Sequence, residues 1–168
     1  AALDMAQRFG AERSLGLRIN AAYEHLNPAL RNAQGQRKLL SAAGEWRVSG
    51  STLLEAEAEW SEQRQPSQPG FSLLGNRVPG ARDIDPRINL NNQAWSQPVV
   101  FSGSTASLRL THQLNASTRL RWHAATQHLR SDDRVAFPFG CSAENTFDRY
   151  CIDGSFNLYD YRSDHERR

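Results

Sequence analysis

Thr52-Leu53-Leu54-Glu55-Ala56-Glu57-Ala58-Glu59-Trp60 is the stretch on which the fold turns. Its even positions, Thr52, Leu54, Ala56, Ala58 and Trp60, carry no charge, whereas its odd positions include Glu55, Glu57 and Glu59. A β-strand points successive side chains to opposite faces, so a period of two sorts these residues into one bare face and one charged face.

Four more windows repeat the pattern. The uncharged sets are Leu15, Leu17, Ile19, Ala21, Tyr23; Leu40, Ala42, Gly44, Trp46, Val48; Ala106, Leu108, Leu110, His112, Leu114; and Thr118, Leu120, Trp122, Ala124, Thr126. Across all five windows these 25 positions hold no Asp, Glu, Lys or Arg. The opposite parity carries Arg18, Glu24, Glu45, Arg47, Glu55, Glu57, Glu59, Arg109, Arg119 and Arg121.

Alternation over nine or more residues is long for a soluble strand and fits a tilted membrane-crossing one. A soluble β-sandwich also alternates, with its apolar face inward, and stands as the competing reading. Two details favour the barrel. The uncharged face is rich in Ala, Gly and Thr, which fill a protein core poorly but are acceptable against fluid lipid. Tyr23, Trp46 and Trp60 lie near strand ends, where membrane barrels carry aromatic girdles. Trp122 sits nearer mid-window and departs from that rule. His112, close to a turn, is expected at headgroup level.

The expected fold is therefore all-β: an antiparallel up-and-down meander of about six to seven long strands, part of a large transmembrane β-barrel. Strands at 3–9 and 156–166 flank the five windows, the last with poorer alternation. Connections alternate in length. Short ones near 10–13, 49–51 and 115–117 read as periplasmic turns, and long ones near 25–37, 61–103 and 130–155 as extracellular loops. The second long connection carries five of the seven prolines and the aromatics Phe71, Trp95 and Phe101.

Composition narrows the function. Mean hydropathy is −0.65, and no run approaches the roughly 18 consecutive apolar residues of a membrane helix. A barrel remains compatible, because only alternate residues of its strands are apolar. The net charge of +2 is too small to indicate nucleic acid. Lys38 is the single lysine among 20 basic residues; codon bias accounts for that, and the arginines also suit bidentate pairing in a polar lumen. Cys141 and Cys151 lack zinc-site spacing. They read as one local disulfide of an oxidising compartment, with free thiols as the alternative. No secretory leader is visible and the chain opens mid-pattern, so it reads as a piece of something larger.

No enzyme is expected. No serine sits in a nucleophile elbow and no Gly-rich phosphate loop follows a strand. His123 and His128 fall on opposite faces of one strand, so no shared metal and no cofactor are expected. The Glu55, Glu57, Glu59 ladder is expected to pair with arginines on neighbouring strands and on a further domain, since like charges on one face repel.

Certain stretches resemble the TonB-dependent receptor family, and within it the siderophore receptors. Arg8-Phe9-Gly10-Ala11-Glu12-Arg13 with Leu15 to Glu24 resembles the strand–turn–strand that follows the plug domain. Gln65-Pro66-Ser67-Gln68-Pro69-Gly70 and the run from Asp85-Pro86-Arg87 to Trp95-Ser96 resemble the loop after an early barrel hairpin. Asp160-Tyr161-Arg162-Ser163 is similar to a family barrel strand. The resemblance covers most of the chain through short, degenerate motifs.

It implies a plugged 22-stranded barrel in the outer membrane of a Gram-negative bacterium, binding and importing ferric siderophores with energy relayed by TonB through the plug. Neither plug nor TonB box precedes these strands, and about seven strands cannot close such a wall. The implied partners are a ferric siderophore, outer-membrane lipid, the plug with the remaining barrel strands, and TonB. Stacking on Trp95, Phe71 or Phe101 and attraction of an anionic chelate by Arg82 and Arg87 are the implied ligand contacts. Anchoring of the loop by the same rings, and solvated loop charge, are their competing roles. The alternative for the whole is a smaller outer-membrane or soluble β-sandwich or barrel module for binding or adhesion, without transport.

Overall fold

A computed structural model describes residues 1–68, 82, 85–89, 91, 97–138 and 156–167, with the backbone alone described for 134–138 and 156–167. Its strands are β1 (Ala2–Phe9), β2 (Leu15–Leu26), β3 (Gly35–Ser49), β4 (Thr52–Pro66), β5 (Gln97–Gln113), β6 (Arg119–Pro138) and β7 (Phe156–Arg167). They form one seven-stranded sheet in chain order, each strand antiparallel to the next. The all-β meander expected from the alternation is therefore the fold.

Short connections are built from local polar chemistry. Gly10 enters the first turn at φ +80°, a conformation open to glycine, and the 3-10 turn Ala11–Arg13 follows. Gly50 and Ser51 join β3 to β4, where the Ser49 hydroxyl bonds Thr52 Oγ1 at 3.1 Å. Between β5 and β6, Asn115 Oδ1 accepts from the backbone N–H of Ser117 at 3.0 Å and from its hydroxyl at 2.9 Å. That is an Asx turn, which replaces missing backbone partners.

The register places the five uncharged sets on a single face. Leu17 pairs with Gly44, Gly44 with Ala56, Ala56 with Leu108, and Leu108 with Ala124. Partners in an antiparallel ladder share a face, so these residues form one row across five strands. The next row toward the short turns runs Leu15, Trp46, Leu54, Leu110, Trp122. Trp122, out of place in the linear sequence, thus aligns with Trp46. From the Thr52 row to the Trp60 row is about 27 Å along the strand at ~3.4 Å per residue. At a barrel tilt of roughly 40° that is about 21 Å of height, close to a membrane barrel's apolar band.

Above Trp60 the same face turns polar. Tyr23, Lys38, Glu62, Ser102 and Arg130 form the next row. β3 to β6 continue through it, reaching 15, 15, 17 and 20 residues. The long connections consequently span 27–34, 67–96 and 139–155, shorter than the alternation implies. A strand that leaves the apolar band keeps its backbone ladder but no longer needs alternating side chains, so its continuation leaves little trace in the sequence.

Among the described residues the sheet has no second layer. Among them only Ala33 and Val99 are buried apolar residues, and large side chains of the uncharged face stand open, Met5 at 61% and Leu108 at 38% among them. Two polar groups on it are satisfied locally. Thr52 Oγ1 lies 2.8 Å from His112 Nδ1, and the Gln7 amide donates to the Arg8 carbonyl at 2.9 Å.

Candidate functional site

The opposite face gathers the charges. Arg18, Glu24, Glu45, Arg47, Glu55, Glu57, Glu59, Arg109, Arg119 and Arg121 all share it by register. Arg8, Asp4 and Arg37 join them from outside the alternating windows. Arg18 grips Asp4 with both prongs of its guanidinium, at 2.9 and 2.6 Å. Arg8 holds both oxygens of Glu45 at 2.9 Å, and Arg47 approaches Glu45 at 3.3 Å. Arg37 pairs with Glu24 at 2.5 Å, and Arg109 with Glu55 at 3.6 Å. These exposed pairs fix side-chain orientation more than they add stability.

The glutamate ladder splits. Glu55 has Arg109 directly opposite, whereas Glu57 lies between Ala43 and Ser107, and Glu59 between Ser41 and Thr105. Among the described residues neither Glu57 nor Glu59 forms an ion pair. The expected pairing with neighbouring strands therefore holds for Glu55 alone. Cross-strand register decides which charges meet, and spacing within one strand carries no trace of it.

Nearer the long connections, the charged face holds a hollow of about 460 Å³. Its walls are Phe101 and Leu129, its floor is Ser61 and Gly103, and Arg37, Gln63 and Ser131 stand at its rim. Phe101 pairs with Ser131 and Gly103 with Leu129, so Phe101 and Leu129 are diagonal neighbours on one face across β5 and β6. Phe101 is 53% exposed and Leu129 45%. Every other exposed large apolar residue of the described strands lies on the uncharged face. An apolar patch rimmed by polar groups is a usual mark of a binding groove. Leu129 and Gly103 were not legible as site residues, although Leu129 breaks the parity of its strand.

A polar clasp closes the end of the sheet above the hollow. Arg31 N donates to the Arg87 carbonyl at 2.9 Å, and Arg31 Nη2 lies 2.7 Å from Asp85 Oδ2. Asn89 Nδ2 reaches the Asn32 carbonyl at 3.3 Å, and Gln65 Nε2 the Ala33 carbonyl at 3.0 Å. Buried Asn91 donates to the Ser67 carbonyl at 3.0 Å, and the Ser67 hydroxyl to Asp133 Oδ2 at 2.9 Å. The first two long connections are thereby tied to each other and to β6. Asp85 sits below the usual carboxylate range, first because the Arg87 backbone N–H donates to it, then through the Arg87 and Arg31 side chains.

Of the five residues expected at a ligand, Phe101 lies in the hollow and Arg87 in the clasp, where its Nε is 3.2 Å from Asp85 Oδ1. Arg82 is exposed on the second long connection. Trp95 and Phe71 lie outside the described residues, as do Cys141 and Cys151 and with them the question of their disulfide. Among the described residues no three His, Cys, Asp or Glu side chains group as a metal site. No helix is long and apolar enough to cross a membrane, which leaves a β-barrel untouched.

No protein-family model matches the chain, and no curated protein matches it in sequence. Among solved structures the fold is similar to the closed form of the ferric-catecholate import receptor Fiu of E. coli K12. The TM-score is 0.67 at 16% identity, over 97% of this chain and 24% of that one. The chain thus spans about a quarter of that receptor's length. At this identity the likeness is one of fold, and it extends over nearly the whole of this chain.

Proposed function

We propose that this chain is a segment of barrel wall from an outer-membrane receptor of the TonB-dependent kind, which takes up ferric siderophores. The observation that carries the reading is the two-faced single layer. A bare apolar face and a charged face, with nothing among the described residues covering the former, are unstable in water but suited to lipid on one side and a polar lumen on the other. Open edges and membrane depth are compatible only when a sheet closes into a barrel. The short connections would then lie on the periplasmic side and the long ones outside. The likeness to the ferric-catecholate receptor supports the same reading.

In this account the ten charged residues face the lumen. Glu57 and Glu59, without an ion pair among the described residues and on a floor of small residues, offer acceptors to a plug seated there. Plug, remaining strands and TonB are partners of the whole receptor. The clasp holds the loops over the vestibule, where Phe101, Trp95, Phe71, Arg82 and Arg87 contact the chelate.

The test is iron uptake. Gram-negative cells lacking their own receptors and carrying the full-length protein are expected to accumulate radiolabelled iron from a ferric siderophore panel, in a TonB-dependent way, with the protein in the outer-membrane fraction. Recovery in the soluble fraction, or uptake indifferent to TonB, would refute the proposal.

A further inference from the structure

Building on the receptor reading, we propose that the short-turn end of the charged face is a docking pocket for an acidic peptide segment. The occupant is a stretch of the same polypeptide from outside residues 1–168, seated in the lumen, with two carboxylates about four residues apart. The pocket is a hollow of about 570 Å³ beside the turn that joins β3 to β4. Four arginines line it, Arg47, Arg109, Arg119 and Arg121, against one acid, Glu55. All five share the charged face by register.

Most of that positive charge is unanswered within the described sheet. Glu55 is taken by Arg109 at 3.6 Å. Arg47 reaches Glu45 at 3.3 Å, but Arg8 already holds both oxygens of that carboxylate at 2.9 Å. Arg119 donates to the neutral Gln113 amide oxygen at 3.0 Å. Arg121 forms no ion pair among the described residues. Its charged neighbours on this face are Arg119, two residues along β6, and Arg109, diagonally across on β5. Like charges this close on one face repel, so an occupant that brings negative charge is favoured.

Geometry selects a peptide over a small anion. Arg47, Leu53, Thr111 and Arg121 form one row across β3, β4, β5 and β6. Three strand spacings of ~4.8 Å separate the two arginines, about 14 Å of backbone. An extended segment crossing the sheet advances ~3.4 Å per residue, so side chains four residues apart span the same distance. An acid at each end meets one guanidinium, whose fork suits a carboxylate. The residue midway between them faces the same way and lies over Leu53. Leu53 is a half-buried apolar residue on the charged parity, and it offers nothing to a phosphate or sulfate.

The test is made on the full-length protein in outer membranes. Arg47→Lys and Arg121→Lys keep the charge and add a primary amine, which a water-soluble carbodiimide joins to a carboxylate held in an ion pair. Mass spectrometry is expected to find both amines joined to Asp or Glu residues of one segment outside 1–168, about four residues apart. Excess sulfate is expected to leave the cross-link yield as it is in chloride of equal ionic strength. Arg121→Glu is expected to speed protease cleavage of that segment in membrane fragments roughly fivefold or more. Reversing the cross-linked acid to lysine in the same protein restores the wild-type rate. Leu53→Asp speeds cleavage in the same way, and Leu53→Met leaves it unchanged.

Cross-links confined to carboxylates of the barrel wall, cross-links to a separate protein, or none at all overturn the pocket. So does a wild-type cleavage rate in Arg121→Glu, and so does loss of the cross-link in sulfate, which would assign the arginines to a small oxyanion. Iron uptake is a separate readout. Uptake without the cross-link sinks the pocket alone. The cross-link in a protein that imports no iron sinks the transport reading alone.

Discussion

Replacing Ala56 by arginine tests the facing of the sheet at its most sensitive point. Ala56 occupies the central row of the uncharged band with Leu17, Gly44, Leu108 and Ala124. Four residues separate it from both the Thr52 and Trp60 rows, about 13 Å along the strand, or roughly 10 Å of depth after tilt. An arginine at the midplane of a barrel's lipid face costs about 2–4 kcal/mol, falling to about 0–1 kcal/mol near the interface. Ala56→Arg should therefore shift the folding equilibrium by about 30- to 1000-fold, and Thr52→Arg by less than about tenfold. Glu57→Arg, one residue on but facing the other way, should stay within about 1 kcal/mol. The assay is reversible guanidinium unfolding of the full chain in lipid vesicles, read by tryptophan emission. Equal costs for Ala56→Arg and Glu57→Arg would refute the facing. Equal costs for Ala56→Arg and Thr52→Arg would point to a dry protein interior, where membrane depth has no meaning.

Other consequences follow from the turns and the clasp. Gly35→Ala sets a Cβ against the Arg64 carbonyl oxygen and 2.7 Å from Gln65 Cβ, an overpacking that should cost about 1–3 kcal/mol in the same unfolding assay. Asn115→Ala removes both Asx-turn bonds and should cost about 1 kcal/mol, with faster hydrogen exchange at Ser117 N–H. Asp85 has a folded pKa below its ordinary value, so its contribution to the clasp is fully present above the unfolded pKa of about 3.9 and lost as pH falls through the lower, folded value. Hydrogen exchange at Arg87 N–H should thus be unchanged between pH 7 and pH 5, after correction for intrinsic rates, and Asp85→Asn should raise it throughout that range.

What the sequence discloses depends on whether a residue answers to its own strand or to a neighbour. Ala56 and Glu57 alternate because one strand has two environments, and that alternation is visible in a line of letters. The pairing of Arg109 with Glu55, and the placing of Glu57 opposite Ser107, depend on the offset between β4 and β5 and leave no linear mark. The same offset brings Trp122 level with Trp46. β6 runs twelve residues beyond Thr126, where the uncharged face has left the band and Arg130 is as acceptable as leucine. The clasp joins Ser67, Asn91 and Asp133 across the ends of separate strands, which local spacing cannot anticipate. Leu129 did leave a clue, an apolar residue on the charged parity, but that clue acquires meaning only once Phe101 and Gly103 lie beside it.

The most direct measurement of the two-faced wall is a spin-label scan of residues 52 to 60 in lipid vesicles, with Cys141 and Cys151 replaced by serine. Collision rates with oxygen, which concentrates in the bilayer, and with a water-soluble nickel complex are recorded at each position. The account predicts that Thr52, Leu54, Ala56, Ala58 and Trp60 favour oxygen, most strongly at Ala56, while Leu53, Glu55, Glu57 and Glu59 favour nickel. A uniform profile, or nickel access at the even positions, would contradict it.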